Sequence, residues 1–152
     1  MPRKTKSPAT AAAAARDERD QRTLERIAGL ADHVITAARA GRDPFLDIPS
    51  RTLSNVHYNR KKRFIEMGNA RNRRHLFNLA QAKSYMQTML VASGCKRLIE
   101  QSKTTSIRGL FYLLKHTIEG TREETFAAQE ECDPVIEDVE VTLNALREEL
   151  HV

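Results

Sequence analysis

Apolar residues recur at three- and four-residue intervals along several stretches of the chain, and each such stretch predicts an amphipathic helix. The first begins at Asp17, with Leu24, Ile27, Ala31, Val34 and Ala38 on one side and Gly41 placed to end it. A second runs from about Asn78 to Gln101; Leu79, Ala82, Met86, Met89, Leu90, Leu98 and Ile99 mark its buried side, and Gly94 is its weak point. Ser106 then offers an N-cap to a short helix from Ile107 to about His116. Thr121 and Glu124 have the spacing of a capping box and predict a further short helix anchored by Phe126. Asp133 and Pro134 supply an N-cap and a first-turn proline for a last helix, with Val135, Val139, Leu143, Leu146 and Leu150 on one face.

Between the first two helices the pattern changes. Residues 42–58 hold two prolines and no helical period, so they read as extended chain or turns, and residues 60–74 read as a basic loop. Residues 1–15, built mainly of Lys, Pro, Thr and Ala, predict a mobile basic arm. The domain reading is therefore an arm over 1–15, an N-terminal helix over 16–41 and one domain over 42–152. The closing short, short and long helices are compatible with a helix-turn-helix core.

Composition narrows this picture. With 152 residues and 40% hydrophobic content the chain can build one core, and the absence of Trp with only 5% aromatics speaks against a β-sandwich. Cys95 and Cys132 lack ligand or CxxC spacing, which predicts a reduced, cytoplasmic protein. The alanine run at 11–15 is too short for the apolar region of a signal peptide, and no apolar run approaches the length of a membrane span.

Charge changes the picture most. The net charge is +5, but residues 51–108 hold thirteen Lys/Arg against two Asp/Glu, while residues 119–149 hold two against eleven. A segment so basic is drawn to phosphates. Arg60, Lys61, Lys62 and Arg63, then Arg71, Arg73 and Arg74, are candidate phosphate contacts, with a solvated loop face as the competing reading. The acidic residues from Glu123 to Glu140 read as helix caps and solubilising charge before they read as a magnesium site.

Tyr112 lies within the apolar run Ile107–Leu114. A phenol there is a nucleophile once its pKa of about 10 is lowered or its proton removed; otherwise it is a half-buried core tyrosine. Arg108 and His116 stand four residues to either side, so a continuous helix would set a cation and a proton carrier beside the phenol.

Three segments then carry a resemblance: IPSRTLSNVHY (48–58), AKSYMQTMLVASGCKRLIEQSKTTSIRGLFYLLKHTI (82–118) and TFAAQEECDPVIEDVEVTLNALREELHV (125–152). From about residue 44 to 152 they closely resemble the N-terminal half of the archaeal DNA topoisomerase VI A subunits, relatives of the meiotic double-strand-break transesterase. The resemblance implies a mainly α, CAP-like winged-helix domain that binds double-stranded DNA. Its tyrosine motif, of the form Arg-acidic-x-aromatic-Tyr, falls on Arg108-Gly109-Leu110-Phe111-Tyr112. Tyr112 would then be the nucleophile that forms a 5′-phosphotyrosyl bond, and Arg108 its electrostatic partner. The basic residues above, with Lys103 and His116, would touch DNA.

The resemblance also implies partners. Two A subunits cut the two strands, within a heterotetramer completed by an ATPase B subunit of the GHKL type, through which alone ATP enters. The family's wing hairpin and its Toprim domain, whose carboxylates hold Mg2+, lie beyond the position matching Val152, so the wing is expected to be truncated here and a Toprim-containing chain to supply the metal. Gly109 stands where the family has an acidic residue. The expected function is the DNA-binding, tyrosine-bearing half of a nucleoid-associated type IIB topoisomerase A subunit, inactive alone; the alternative is a non-catalytic winged-helix DNA-binding protein of the same descent. A third reading is a helical accessory protein that binds nucleic acid through the 60–74 stretch.

Overall fold

The computed structural model describes residues 8–152, so the N-terminal part of the expected arm, residues 1–7, lies outside the described residues. Helix α1 spans Pro8–Arg39, entering the segment read as an arm and starting nine residues before Asp17. The alanines of 11–15 explain the extension, since Ala has the highest helix propensity. Gly41, at φ 66°, ends the helix region as expected. Ile27 and Ala37 are buried and Leu24, Leu30 and Val34 half-buried, while Ala38 is exposed.

Residues 42–75, read as extended chain and a basic loop, form two antiparallel ribbons. Strand β1 (Phe45–Pro49) pairs with β4 (Arg71–His75), and β2 (Val56–Asn59) pairs with β3 (Phe64–Met67) inside that long connection. In β1 the alternate residues Leu46 and Ile48 are buried, the period-2 pattern of a strand with one face on a core. The ribbons meet at Asn55, which is buried: its Nδ2 donates to the Ser50 carbonyl (2.7 Å) and the Ala70 carbonyl (3.2 Å), and its Oδ1 accepts from the Ala70 N–H (3.0 Å). Asn55→Ala leaves these buried backbone groups unpaired and is expected to cost about 2 kcal/mol. Urea unfolding should show a lowered midpoint with an unchanged slope.

Helix α2 (Leu79–Glu100) begins where predicted, with the Asn78 side chain accepting from the Ala80 N–H. Its buried side is Val91, Ala92, Cys95, Leu98 and Ile99, joined by Tyr85, Gln87 and Thr88; Leu79, expected inside, is 95% exposed. Gly94 is a packing position rather than a weak point. A Cβ there would lie 3.0 Å from Leu114 Cδ2 and 3.2 Å from Leu110 Cδ1, so its absence lets helix α3 (Ile107–Leu114) approach α2 closely.

The predicted helix at Thr121 does not form. Thr117 and Glu124 make an isolated antiparallel bridge around Gly120 (φ 76°), the Thr121 hydroxyl donates to the Ile118 carbonyl, and Glu124 pairs with Lys115 at 3.1 Å instead of capping a helix. Phe126, expected to anchor that helix, is fully buried from the irregular segment ahead of the last helix instead. Helix α4 (Gln129–Leu143) starts four residues ahead of Asp133. No side chain caps its first turn; Glu131 instead ties that turn to its surroundings, its carboxylate accepting from the Ala127 N–H (2.8 Å) and the Gln87 amide (2.8 Å). Burial pushes this carboxyl up, but the two hydrogen bonds and nearby Lys83 outweigh it and hold it below the usual carboxylate range. The helix stops at Asn144 in the left-handed conformation (φ 46°). Leu146 is therefore 68% exposed, and Leu150 reaches the core from a separate 3-10 turn, Arg147–Leu150.

The main core gathers α2, α3 and α4 around Val91, Leu110, Phe126, Ile136 and Val139, with Ile27 of α1 laid against it. A smaller cluster of Leu46, Ile48 and Tyr85 joins the β1–β4 ribbon to α2. His151 ties the end of the chain to both flanks: Nδ1 lies 3.0 Å from the Lys103 carbonyl and Nε2 3.1 Å from Asp20 Oδ1 on α1. The order of helices after the ribbons is compatible with a winged-helix-like N-terminal domain. No strand follows α4 among the described residues.

Cys95 and Cys132 are both free and fully buried. Burial pushes the Cys95 thiol up to about 12 and the Cys132 thiol up to about 11. Alkylation needs the thiolate, so both are expected to resist iodoacetamide at neutral to mildly alkaline pH in the folded protein and to react fully in denaturant, as read by intact mass.

Candidate active site

The sequence of α3 divides its residues between two faces. Leu110, Phe111 and Leu114 turn inward and are buried, whereas Arg108 and Tyr112, four residues apart, share the outer face. Ser106 fixes the start of the helix, its Oγ accepting from the Gly109 N–H at 3.1 Å. Tyr112 is 60% exposed, so its phenol is accessible and not the half-buried core tyrosine of the competing reading. The Arg108 guanidinium carbon stands 5.9 Å from the centre of the Tyr112 ring, and the Phe111 ring packs against it, tilted by 57°, at 5.1 Å between centroids. Arg108 therefore places positive charge over the tyrosine ring on the exposed face, where an incoming phosphate would meet it.

His116 does not join this face. The helix ends at Leu114, Lys115 turns extended, and His116 Nδ1 lies 2.9 Å from the Leu114 carbonyl. Gly109 is fixed by its neighbour: a Cβ at this position would collide with Thr105 Oγ1. Among the described residues no group of three or more His, Cys, Asp or Glu is gathered that could hold a metal ion, so these residues do not fit Mg2+ beside Tyr112.

The predicted phosphate contacts separate into two groups. Arg60, Lys61, Lys62 and Arg63 form the exposed tip of the β2–β3 ribbon, and Lys103 is exposed in the α2–α3 connection. Those on β4 are engaged. Arg71 pairs with Asp47 at 2.8 Å, and Arg73 lies 3.9 Å from the same carboxylate and 4.9 Å from the Phe45 ring centre. Arg74 turns inward to the buried Asp138, with its second nitrogen donating to Thr88 Oγ1 at 3.0 Å. Arg51, which sequence reading passed over, meets Asp138 from the other side at 2.9 Å, pairs with Glu137 and donates to the Pro134 carbonyl. Arg74 is thus a bolt between ribbon and helix and not a surface contact.

The described residues form, in class, a helical domain with two small antiparallel ribbons, compatible with a winged-helix-like domain, that raises one tyrosine and one arginine on the outer face of a short helix. Residues 83–152 match the family described as type IIB DNA topoisomerase, and the chain belongs with the N-terminal portion of that family's A subunits. It is 41% identical over 132 residues to the A subunit of type 2 DNA topoisomerase 6 from Pyrococcus horikoshii, covering 87% of this chain and 35% of that protein. The Pyrococcus abyssi protein of the same name is 40% identical over the same length, and that of Methanothermobacter thermautotrophicus 36% over 127 residues. The chain spans about a third of the length of these relatives.

Proposed function

We propose that this chain is the DNA-binding and tyrosine-bearing part of a type IIB topoisomerase A subunit, built on a CAP-like winged helix. The observation that carries the reading is the exposed Tyr112 with Arg108 over its ring, inside the segment that matches the family. In the reaction the Tyr112 oxygen attacks a backbone phosphorus of duplex DNA. The new O–P bond forms as the bond from phosphorus to the 3′ oxygen breaks; the phenol's proton is lost and the released 3′ oxygen gains one. The strand is left with a 5′-phosphotyrosyl end whose phosphoester bond is conserved, so reversal reseals it without external energy. Arg108 offsets the charge on the phosphate as it becomes five-coordinate.

Because no carboxylate cluster fits a metal here, no step is assigned to Mg2+; in this reading a Toprim-containing chain brings it, a GHKL ATPase subunit brings ATP, and two copies of the tyrosine act on the two strands within a heterotetramer. The reading also places the chain in the cytoplasm on the nucleoid; no helix among the described residues is long and apolar enough to cross a membrane. The test is covalent trapping: this chain is mixed with its Toprim-containing and ATPase partners, labelled duplex DNA, Mg2+ and ATP, denatured, and scored for label migrating with a 17.3 kDa polypeptide. Label on this chain supports the reading. DNA that is bound but never attached favours a non-catalytic winged-helix binder, a reading that Gly109 also supports, since it stands at the motif's acidic position.

A further inference from the structure

The β2–β3 ribbon holds charge that the tyrosine site does not use. Its strands pair only with each other. The tip is tightly built: Asn59 Oδ1 accepts from the N–H groups of both Lys61 and Lys62 (3.1 Å each), the Arg63 N–H donates to the Asn59 carbonyl (2.8 Å), and Arg63 takes the left-handed conformation (φ 58°). Four successive cations are thereby displayed from a fixed turn. Lys62 is occupied, 3.0 Å from Glu66 and 5.5 Å from the centre of the Phe64 ring. Arg60, Lys61 and Arg63 have no acidic partner among the described residues.

We propose that this ribbon is a second duplex-DNA contact, separate from the segment attacked by Tyr112, in which Arg60, Lys61 and Arg63 grip phosphates along a groove. The proposal rests on the DNA-acting reading above. Two features select duplex DNA. A two-stranded ribbon is of a size that the major groove admits. Crowded lysine and arginine at the outermost point is the opposite of a protein-interface core, from which Lys is depleted. One face of the ribbon carries Tyr58, Ile65 and Met67, all exposed, and of these Met67 lines a cleft of about 690 Å³ with Val141 and Leu146 of the segment around the end of α4.

The experiment compares the whole chain with Arg60→Gln/Lys61→Gln/Arg63→Gln and with a charge-matched control, Arg22→Gln/Arg39→Gln/Lys96→Gln, whose three residues are exposed on α1 and α2. Affinity for a labelled 30-base-pair duplex and for the matching single strand is read by anisotropy from about 50 to 200 mM salt. If three phosphate contacts are lost, the slope of log K against log salt flattens by about 0.9 per contact, near 2.7 in all, and duplex affinity at low salt falls more than about tenfold. The control should lose less than half as much, and Arg60→Lys/Arg63→Lys should keep the slope. A tip variant that behaves like the control overturns the proposal, as does a tip variant that keeps duplex affinity while losing the ATPase or Toprim partner in pull-down, which would make the ribbon a protein contact. Where the tip variant binds like the control and still traps DNA covalently, the Tyr112 reading stands although this proposal falls. A wild-type chain that binds no duplex overturns the ribbon contact, and the trapping assay then decides the broader reading independently.

Discussion

Tyr112→Phe is expected to abolish covalent attachment of DNA to this chain in the reconstituted assembly, a loss on the order of 10⁴-fold or more as for other removed nucleophiles, while thermal stability and duplex affinity stay at wild-type values. The expectation follows from where the side chain sits. The residue is 60% exposed, its ring is braced by Phe111 and Arg108, and its neighbours Leu110, Phe111 and Leu114 carry the packing of α3. Removing one oxygen therefore leaves the core untouched. Arg108→Gln should reduce attachment by a smaller factor, on the order of 10²–10³ for a lost electrostatic stabiliser, again with an unchanged melting temperature. Labelled DNA still bound covalently to the Phe variant would remove Tyr112 from the chemistry. A phenylalanine variant that melts early would return it to the core.

Asp138→Ala is expected to be the most destabilising of the substitutions considered, costing about 3–5 kcal/mol and lowering Tm by roughly 6–20 °C. Asp138 is buried on α4 and holds two guanidiniums at once, Arg51 from the segment after β1 and Arg74 from β4. Truncating the acid leaves the partly buried Arg74 with no acidic partner and Arg51 with Glu137 alone, and the penalty at Arg74 exceeds the loss of the attraction itself. The logic has a converse. Replacing Arg51, Arg74 and Asp138 together by apolar residues of similar volume should recover most of the stability, because the desolvation cost leaves with the charges. Differential scanning calorimetry on the single and triple variants separates the two effects; a loss below about 1 kcal/mol for Asp138→Ala would mean that solvent screens this cluster as it does an exposed pair.

These sites also mark where sequence reasoning reached and where it stopped. Helices α2 and α3 were legible because their signals are local: Asn78 and Ser106 are caps that act within three residues, and apolar spacing fixes the rest. Tyr112 and Arg108 could be placed on one face from helical geometry alone. The strands were less legible. β1 is five residues long with proline at its end, and β4 reads Arg-Asn-Arg-Arg-His, a run whose inward Arg74 makes sense only with an acid 64 residues further on. The ribbon tip had a usable signal in the alternation of Val56 and Tyr58 with Ile65 and Met67 around Asn59, although the four intervening cations masked it. At α4 the local cue misled, because Asp133-Pro134 is a good helix start in isolation while the helix begins a turn earlier at Gln129, its first turn held by Glu131 to Ala127 and to Gln87 of α2.

The crowding at Gly109 bears on the history and the engineering of the motif. Thr105 Oγ1 fills the space that any side chain at 109 would enter. An acidic residue enters there when Thr105 swings its hydroxyl aside by a rotamer change or is exchanged for something smaller, so the two positions are coupled. A library that varies residue 109 alone scores the acid together with the cost of moving Thr105; one that varies 105 and 109 together separates the two, and so measures how readily an acidic form and a glycine form of this helix interconvert.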